Sequence, residues 1–204
     1  AMHWSLVGSE MCIRDRIETM ALKHKMINPF QEHCMSKRDG VGILSFGTSS
    51  FGYDLRLSPS DFRIFQHIPG QCINPKKFNH ENLKKSVPQF SVEYGTYFIL
   101  PRHSYALGFS VEKLKIPRNI TGICLGKSTY ARCGIIVNTT PAEAGWSGHL
   151  TIEIANTTPT DAMIFPNEGI CQMLFFEGEE PKVSYKDREG KYQNQPDSVV
   201  LPEV

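Results

Sequence analysis

A short segment between two glycines, residues 126–134, concentrates side chains that can bind phosphate. Its donors are one lysine, two hydroxyl side chains and one arginine, at Lys127, Ser128, Thr129 and Arg132. Glycine lets the backbone approach a ligand closely, and cationic and hydroxyl donors form strong hydrogen bonds to phosphate oxygens. The segment predicts a site for a phosphorylated ligand, although a solvated basic turn explains the lysine and serine alone better.

The Walker P-loop does not explain this segment. Its pattern, G-x-x-x-x-G-K-[ST], would require the earlier glycine to occupy the position of Ile120 or Thr121, and neither is glycine. Residues 130–134 are also too short for the long helix that follows a P-loop. A P-loop NTPase is therefore not expected.

The second candidate is a carboxylate on a predicted strand. In residues 150–155 aliphatic side chains alternate with Thr151, Glu153 and Ala155, which predicts a half-buried strand with Glu153 on its more polar face. A lone glutamate on such a face is usually a surface residue. By itself the strand does not make Glu153 a catalyst.

Several segments, taken in order, resemble the dCTP deaminase branch of the dUTPase-like superfamily. They are residues 49–57 (SSFGYDLRL), 74–78 (NPKKF), 126–135 (GKSTYARCGI), 145–148 (GWSG), 150–156, 167–175 and 191–195 (KYQNQ). The resemblance covers roughly residues 15–197, and independent segments in the right order seldom arise together by chance. It therefore favours Glu153 as a catalytic residue. The same superfamily contains deaminases, dUTP diphosphatases and enzymes that do both.

The resemblance implies a mainly β fold, a distorted jelly-roll or dUTPase-like β-barrel with a short N-terminal helix. A chain of 204 residues with 40% hydrophobic content suits one core of ordinary size. Residues 1–12 are expected to be an unmatched extension, residues 13–183 the β domain and residues 184–204 a C-terminal lid segment. Apolar spacing predicts a helix over residues 16–26. Strands are expected at residues 42–46, 53–57, 62–65, 96–100, 104–111, 120–125, 135–138, 150–155 and 169–176, with an exposed loop over residues 76–85.

Composition narrows the partners and the compartment. The net charge is +1 and the basic residues form no stripe, so no nucleic-acid partner is expected. The six cysteines contain no C-x-x-C pair, which argues against zinc and disulfides and for reduced thiols. No apolar run approaches the 18 residues that span a membrane, so we expect a cytoplasmic protein.

A deaminase with this sequence would have to activate water without a protein-held zinc, because no H-x-E…P-C-x-x-C signature is present. The resemblance implies that Glu153 takes a proton from water, hydroxide attacks C4 of cytosine, and Glu153 returns protons to N3 and the amine. It assigns Ser128 and a main-chain carbonyl near Thr140 or Pro141 to orienting the water. Arg132 would offset the developing charge. A structural salt bridge is the alternative role for Arg132.

The resemblance also implies a set of nucleotide-binding residues. They are Lys127, Ser128, Thr129, Tyr130, Ala131, Arg132, Thr151, Ile152, Glu153, Gln172, Tyr185, Lys191 and Gln195, with Glu143 at the sugar 3′-hydroxyl. For Gln172 a hydrogen bond inside the sheet is an equal alternative. Residues 184–204 also have the composition of a frayed polar tail, and a lid can be a tail that orders on binding.

The predicted reaction converts dCTP and water to dUTP and ammonia and supplies thymidylate synthesis. One alternative is a bifunctional enzyme that continues to dUMP, for which Glu143 lies in the relevant turn. Another is a non-catalytic nucleotide-binding protein, which would bind dCTP without turnover. The resemblance further implies Mg²⁺ bound with the triphosphate, dTTP as an inhibitor, and a homotrimer with active sites between subunits.

Overall fold

The computed structural model describes residues 10–203. Two α-helices lie in this range, Arg14–His24 (α1) and Ser128–Arg132 (α2), together with a 3-10 helix at His80–Asn82. The strands, numbered β1 to β15 in chain order, are Glu10–Met11, Ile27–Asn28, Met35–Arg38, Val41–Thr48, Gly52–Arg56, Arg63–Phe65, Leu83–Lys85, Gln89–Ser91, Gly95–Leu100, Tyr105–Lys115, Ile120–Gly126, Ile135–Asn138, Ser147–Asn156, Ala162–Ile164 and Gly169–Glu177.

The strands form three antiparallel sheets. The first has the order β1-β15-β5-β4-β3, with β11 also paired to β15. The second has the order β12-β13-β10-β6-β7, with β2 also paired to β10, and the third is the small sheet β14-β9-β8. Helix α2 is the connection from β11 in the first sheet to β12 in the second. It therefore stands where the chain changes sheets.

The core lies between the sheets and is closed at one side by α1. The buried face of α1 consists of Ile17, Met20 and Ala21, which recur at helical spacing. Within the core the rings of Phe62 and Phe98 stack with centroids 4.6 Å apart, and both are fully buried. Burying one such side chain contributes about 2 kcal/mol.

The predicted fold class is confirmed, since the chain is mainly antiparallel β with a short N-terminal helix. The helix covers residues 14–24, two residues earlier than expected. All nine predicted strands are present with small shifts at their ends. The described sheets are open, so the expectation of a barrel applies to the class and not to a closed barrel.

One local prediction was wrong. The exposed loop expected over residues 76–85 ends in strand β7, which pairs with β6 through Arg63↔Lys85 and Phe65↔Leu83. The lysines of this strand face solvent while its backbone completes the edge of the second sheet. Charged side chains are common on edge strands because they prevent further pairing. Because exposed lysines are expected both in a loop and on an edge strand, the sequence alone did not indicate this strand.

The start of the fold also differs from the expected boundary at residue 13. Residues 10–12 lie alongside β15, with Met11 opposite Phe176 and the Cys12 amide donating to the Phe175 carbonyl at 2.8 Å. Residues 1–9 of the expected extension lie outside the described residues.

The C-terminal segment, residues 184–203, packs against the body of the protein. The Trp146 indole donates to the Tyr192 carbonyl at 2.7 Å, and Gln195 forms a parallel bridge with Gly148. A Cβ at Gly148 would lie 2.5 Å from the Gln195 nitrogen, so this close approach requires glycine. That the segment closes on nucleotide binding stays a prediction.

Candidate active site

Glu153 lies near the middle of the second sheet. Its strand β13 pairs with β10 on one side, where Leu107 is opposite, and with β12 on the other, where Asn138 is opposite. Residues directly opposite each other point to the same face of an antiparallel pair. The Asn138 amide accordingly donates a hydrogen bond to Glu153 Oε2 at 3.1 Å.

The environment of Glu153 favours a proton acceptor that can also return the proton. Burial raises the pKa of the Glu153 carboxyl, and the hydrogen bond from Asn138 offsets part of this rise. Burial also raises the pKa of the Tyr105 phenol, and the nearby Glu153 carboxylate raises it further. A carboxyl group with a raised pKa exchanges protons more readily near neutral pH than an exposed one.

Glu153 borders a cavity of 320 Å³. Its polar lining comes from Glu153 itself and from Thr140, Thr151, Tyr192 and Gln195. The Thr151 hydroxyl donates to Gln195 Oε1 at 3.1 Å, which ties the C-terminal segment to the strand of Glu153. The turn residue Thr140, expected near the attacking water, lies on the same cavity.

The rest of the cavity wall is mostly apolar and comes from two parts of the chain, the strands and the chain end. The strands supply Phe65, Tyr105, Leu107 and Leu150, and the rings of Phe65 and Tyr105 meet edge to face with centroids 5.6 Å apart. The chain end supplies residues 200–202. A flat ring with a few polar edges suits a cavity that combines apolar walls with one carboxylate.

The phosphate-binding candidates on α2 do not line this cavity. Ser128, Thr129 and Arg132 are exposed and make no side-chain hydrogen bond or salt bridge to any residue between 10 and 203. Helix α2 is next to the first residue of β12, Ile135, which is opposite Asn156. Glu153 is opposite the last residue of β12, Asn138. The length of β12 therefore separates the two groups within one chain.

Lys127 is held by a carboxylate of the first sheet. Its Nζ forms a salt bridge with Asp54 Oδ2, and both side chains are largely buried. Asp54 Oδ1 is buried and has no hydrogen-bond partner among the described residues. Gln172 is directly opposite Asp54 in the sheet, and its amide donates to the Ser49 hydroxyl at 3.3 Å. Lys127 and Gln172 thus belong to one group on the first sheet.

Two predicted binding residues have buried side chains that serve the core. The Tyr130 hydroxyl accepts a hydrogen bond from the Phe165 amide at 2.9 Å, and Ile152 is fully buried. Only their main-chain groups could meet a ligand. Ala131, the residue after Tyr130 in α2, is exposed.

Three further candidates lie outside the Glu153 cavity. The Tyr185 hydroxyl accepts from the Tyr192 amide at 3.0 Å, and Lys191 Nζ donates to the Glu203 carbonyl at 2.8 Å. Glu143 forms a salt bridge with Arg188. In one chain these side chains hold the C-terminal segment in place.

Sequence reasoning missed Asn138, the hydrogen-bond partner of Glu153, and Tyr192, which lines the cavity. Residues 135–138 were recognised as a strand, but their pairing register with β13 follows from tertiary packing. Had the antiparallel pairing been assigned, Asn138 would have been the residue opposite Glu153. Tyr192 lay inside the recognised KYQNQ segment without a side-chain role.

Two observations concern metals and membranes. Between residues 10 and 203, no group of three or more His, Cys, Asp or Glu side chains is arranged to hold a metal ion. In the same part of the chain, no helix has the length and apolar character needed to cross a bilayer.

Fold and site together define an antiparallel β protein with a half-buried carboxylate at a mostly apolar cavity. The fold is similar to that of the solved 2′-deoxycytidine 5′-triphosphate deaminase from Agrobacterium tumefaciens, with a TM-score of 0.55 and 16% identity over 84% of this chain and 47% of that chain. At this identity the likeness shows the fold alone. A family model described as dCTP deaminase-like matches residues 10–178, and the chain belongs to this family.

Relatives from several bacteria extend this result over most of the chain. The dCTP deaminase of Nitrosomonas europaea is 47% identical over 189 residues, which are 92% of this chain and 96% of the relative. That of Acidovorax sp. is 49% identical with the same shares of both chains. That of Campylobacter lari is 49% identical over 92% of this chain and 95% of the relative.

Proposed function

We propose that this protein hydrolyses the 4-amino group of dCTP to give dUTP and ammonia. The observation that carries the proposal is Glu153, a half-buried carboxylate with a raised pKa at a cavity whose other walls are mostly apolar. Membership of the dCTP deaminase-like family supports the choice of substrate.

In the proposed mechanism Glu153 removes a proton from a water molecule held near Thr140. The hydroxide forms a bond to C4 of cytosine, and N3 takes a proton from Glu153. A second proton from the new hydroxyl passes through Glu153 to the amine, the C4–N4 bond breaks, and ammonia leaves. The sum is dCTP plus water to dUTP plus ammonia. Asn138 keeps one oxygen of Glu153 oriented during this exchange.

The triphosphate is proposed to bind the exposed donors of α2, and it would arrive as its Mg²⁺ complex. Ser128, Thr129 and Arg132 have no competing partner among residues 10–203, which leaves their donors available. Lys127 lies immediately before α2, where Asp54 holds its ammonium group at a defined position and offsets its charge, so it would contribute as a hydrogen-bond donor to the phosphate. Arg132 would also offset negative charge on the reacting ring.

The complete site is proposed to form between subunits of a homotrimer. Two observations support this arrangement: α2 does not reach the Glu153 cavity of its own chain, and the strands beside α2 expose aliphatic side chains. Ile123 and Leu125 on β11 are 41% and 50% exposed, and Ile136 on β12 is 55% exposed. Such side chains suit a subunit interface. One subunit would supply Ser128 and Arg132, and its neighbour Glu153.

The first experiment incubates the protein with dCTP and Mg²⁺ and follows ammonia and nucleotides by chromatography. We expect dUTP and ammonia in equal amounts. Glu153→Gln should lower kcat by about 100- to 10,000-fold, the usual contribution of a general base. Glu179→Gln, the same change at an exposed position, is the control and should be fully active.

Other outcomes of this experiment would contradict the proposal in distinct ways. Formation of dUMP and pyrophosphate would indicate the bifunctional enzyme and would redirect attention to Glu143. Tight binding of dCTP without any product would indicate a nucleotide-binding protein. Full activity of Glu153→Gln would show that Glu153 is not the general base, although the protein would still be a dCTP deaminase.

A further inference from the structure

The last residues of the chain return to the second sheet after Gln195. The Val199 amide donates to Asp61 Oδ2 at 3.1 Å, and the Val200 amide donates to the Thr151 hydroxyl at 3.4 Å. The Val199 side chain is 5% exposed and packs with Leu107 in a small cluster of its own. Hydrogen bonds and apolar burial therefore attach this end of the chain at the same place.

The surroundings of Asp61 make its carboxylate a strong acceptor for the Val199 amide. This carboxylate is buried and accepts hydrogen bonds from two nitrogens of Arg63: Nε donates to both oxygens, at 3.0 and 3.1 Å, and Nη2 donates to Oδ2 at 2.8 Å. Burial raises the pKa of Asp61, but the bonds from Arg63 and the Val199 amide lower it by more, so the net shift is downward. Asp61 is therefore an ionised acceptor at neutral pH, and its bond to the Val199 amide is charge-assisted.

The attachment places residues 200–202 against the Glu153 cavity. Arg63 is opposite Leu107 in the sheet, and Leu107 is opposite Glu153 on the other side of β10. Arg63, the partner of Asp61, is therefore on β6 and Glu153 is on β13, with only β10 between these two strands. Val200, Leu201 and Pro202 line the cavity together with the strand residues.

We propose that residues 199–202 form an apolar wall for the nucleoside part of the substrate, and that Asp61 is the positioning residue that holds this wall. The inference rests on the proposed function. Within the expected lid segment, residues 184–204, it assigns one contact to residues 199–202 and names the residue outside the segment that holds them. The wall offers aliphatic contacts and no cation, so it suits the pyrimidine ring and deoxyribose and not the triphosphate.

A truncated protein that ends at Ser198 tests the wall directly. We expect its KM for dCTP to rise about tenfold, the size expected for the loss of one apolar contact, with a smaller change in kcat. Deoxycytidine should become a correspondingly weaker competitive inhibitor, whereas inorganic tripolyphosphate should inhibit as before. Circular dichroism and thermal unfolding establish that the truncated protein is folded.

Asp61 is tested by a graded pair of variants. Asp61→Ala removes the acceptor of the Val199 amide, and Asp61→Asn keeps an acceptor oxygen but loses the charge that pairs with Arg63. We expect the KM for dCTP to rise most in Asp61→Ala and less in Asp61→Asn, with faster amide hydrogen exchange over residues 199–202 in the same order. Asp197→Asn, an exposed change in the same segment, is the control.

The outcomes separate the wall from the proposed function. A folded truncated protein with unchanged KM and unchanged deoxycytidine inhibition would overturn the wall while dCTP deamination stands. A full-length protein that binds deoxycytidine, but produces no dUTP, would overturn the function, and direct binding would then test the wall. Failure of the full-length protein to bind deoxycytidine would overturn the wall as well. If Asp61→Ala does not fold, the truncation alone decides.

Discussion

At the scale of single residues, the contact between Asn138 and Glu153 is the one that most directly affects the proposed chemistry. Burial and the amide act on the Glu153 carboxyl in opposite directions, burial raising its pKa and the hydrogen bond lowering it. The carboxyl has to be ionised to accept a proton from water and protonated to return one. The balance of the two effects sets the pH range in which it can do both.

Asn138→Ala should move the acidic limb of the kcat/KM profile to higher pH. The amide stabilises the ionised carboxylate, so its removal raises the pKa of Glu153, and more of the enzyme is protonated and inactive at a given low pH. We expect activity at the acidic end to fall by about three- to tenfold, with less loss at the alkaline end. Initial rates between pH 5 and 9, with Gln89→Ala as the exposed control, measure the shift. A uniform loss at all pH values would show that Asn138 only supports the fold.

At the scale of elements, α2 is held by a buried side chain that also belongs to the predicted binding set. The Tyr130 hydroxyl accepts from the Phe165 amide, and the ring is 4% exposed. The exposed donors of α2 are therefore presented by a helix of five residues that has one side chain anchored in the core. The Tyr130 side chain therefore has a structural role, and the exposed donors have the proposed binding role. A substitution at Tyr130 alone can test this difference.

Tyr130→Phe should lower stability and leave the chemistry intact. The substitution keeps the ring but leaves the Phe165 amide without its partner, which costs about 1–2 kcal/mol when the group is buried. Urea unfolding measures the free energy of unfolding, and saturating dCTP gives kcat. Tyr94→Phe, at an exposed tyrosine, should change stability by less than about 0.5 kcal/mol. A large loss of kcat with normal stability would instead place the Tyr130 hydroxyl at the ligand.

The elements of the site were predictable where the pattern is local. Alternation identified the strand of Glu153, and glycines bounded the segment that contains α2, so both groups of candidate residues were found. The pairing of Asn138 with Glu153 and that of Lys127 with Asp54 join residues 15 and 73 positions apart. Such contacts depend on strand register and on packing between sheets, which a single sequence does not determine.

The C-terminal segment shows the same limit. Its charged residues resemble those of a solvated tail, yet backbone groups attach it to the body at several points, including the Tyr192 carbonyl and the Val199 amide. Backbone hydrogen bonds leave no mark on residue type, because every residue except proline carries the same donor and acceptor. Composition alone therefore could not place this segment beside Glu153.

At the scale of the whole molecule, the predicted site residues form two groups that one chain keeps apart. Lys127, Ser128 and Arg132 stand at the crossing between the sheets, whereas Glu153 faces a cavity in the second sheet. A ring of identical subunits can bring the first group of one chain to the second group of the next, because each interface joins two different surfaces. This arrangement makes a prediction that a site within one chain does not share.

Two inactive variants should complement each other when they assemble together. In the proposed homotrimer, co-expression of Glu153→Gln with Arg132→Ala would give mixed assemblies, in which a site is intact when an unaltered Glu153 meets an unaltered Arg132 from the neighbouring chain. Random assembly in equal amounts makes about one quarter of the sites intact. We therefore expect dUTP formation at about a quarter of the wild-type rate per site, whereas each variant alone and the double variant stay inactive. A site contained in one chain would give no recovery, because every chain in the mixture carries one of the two defects.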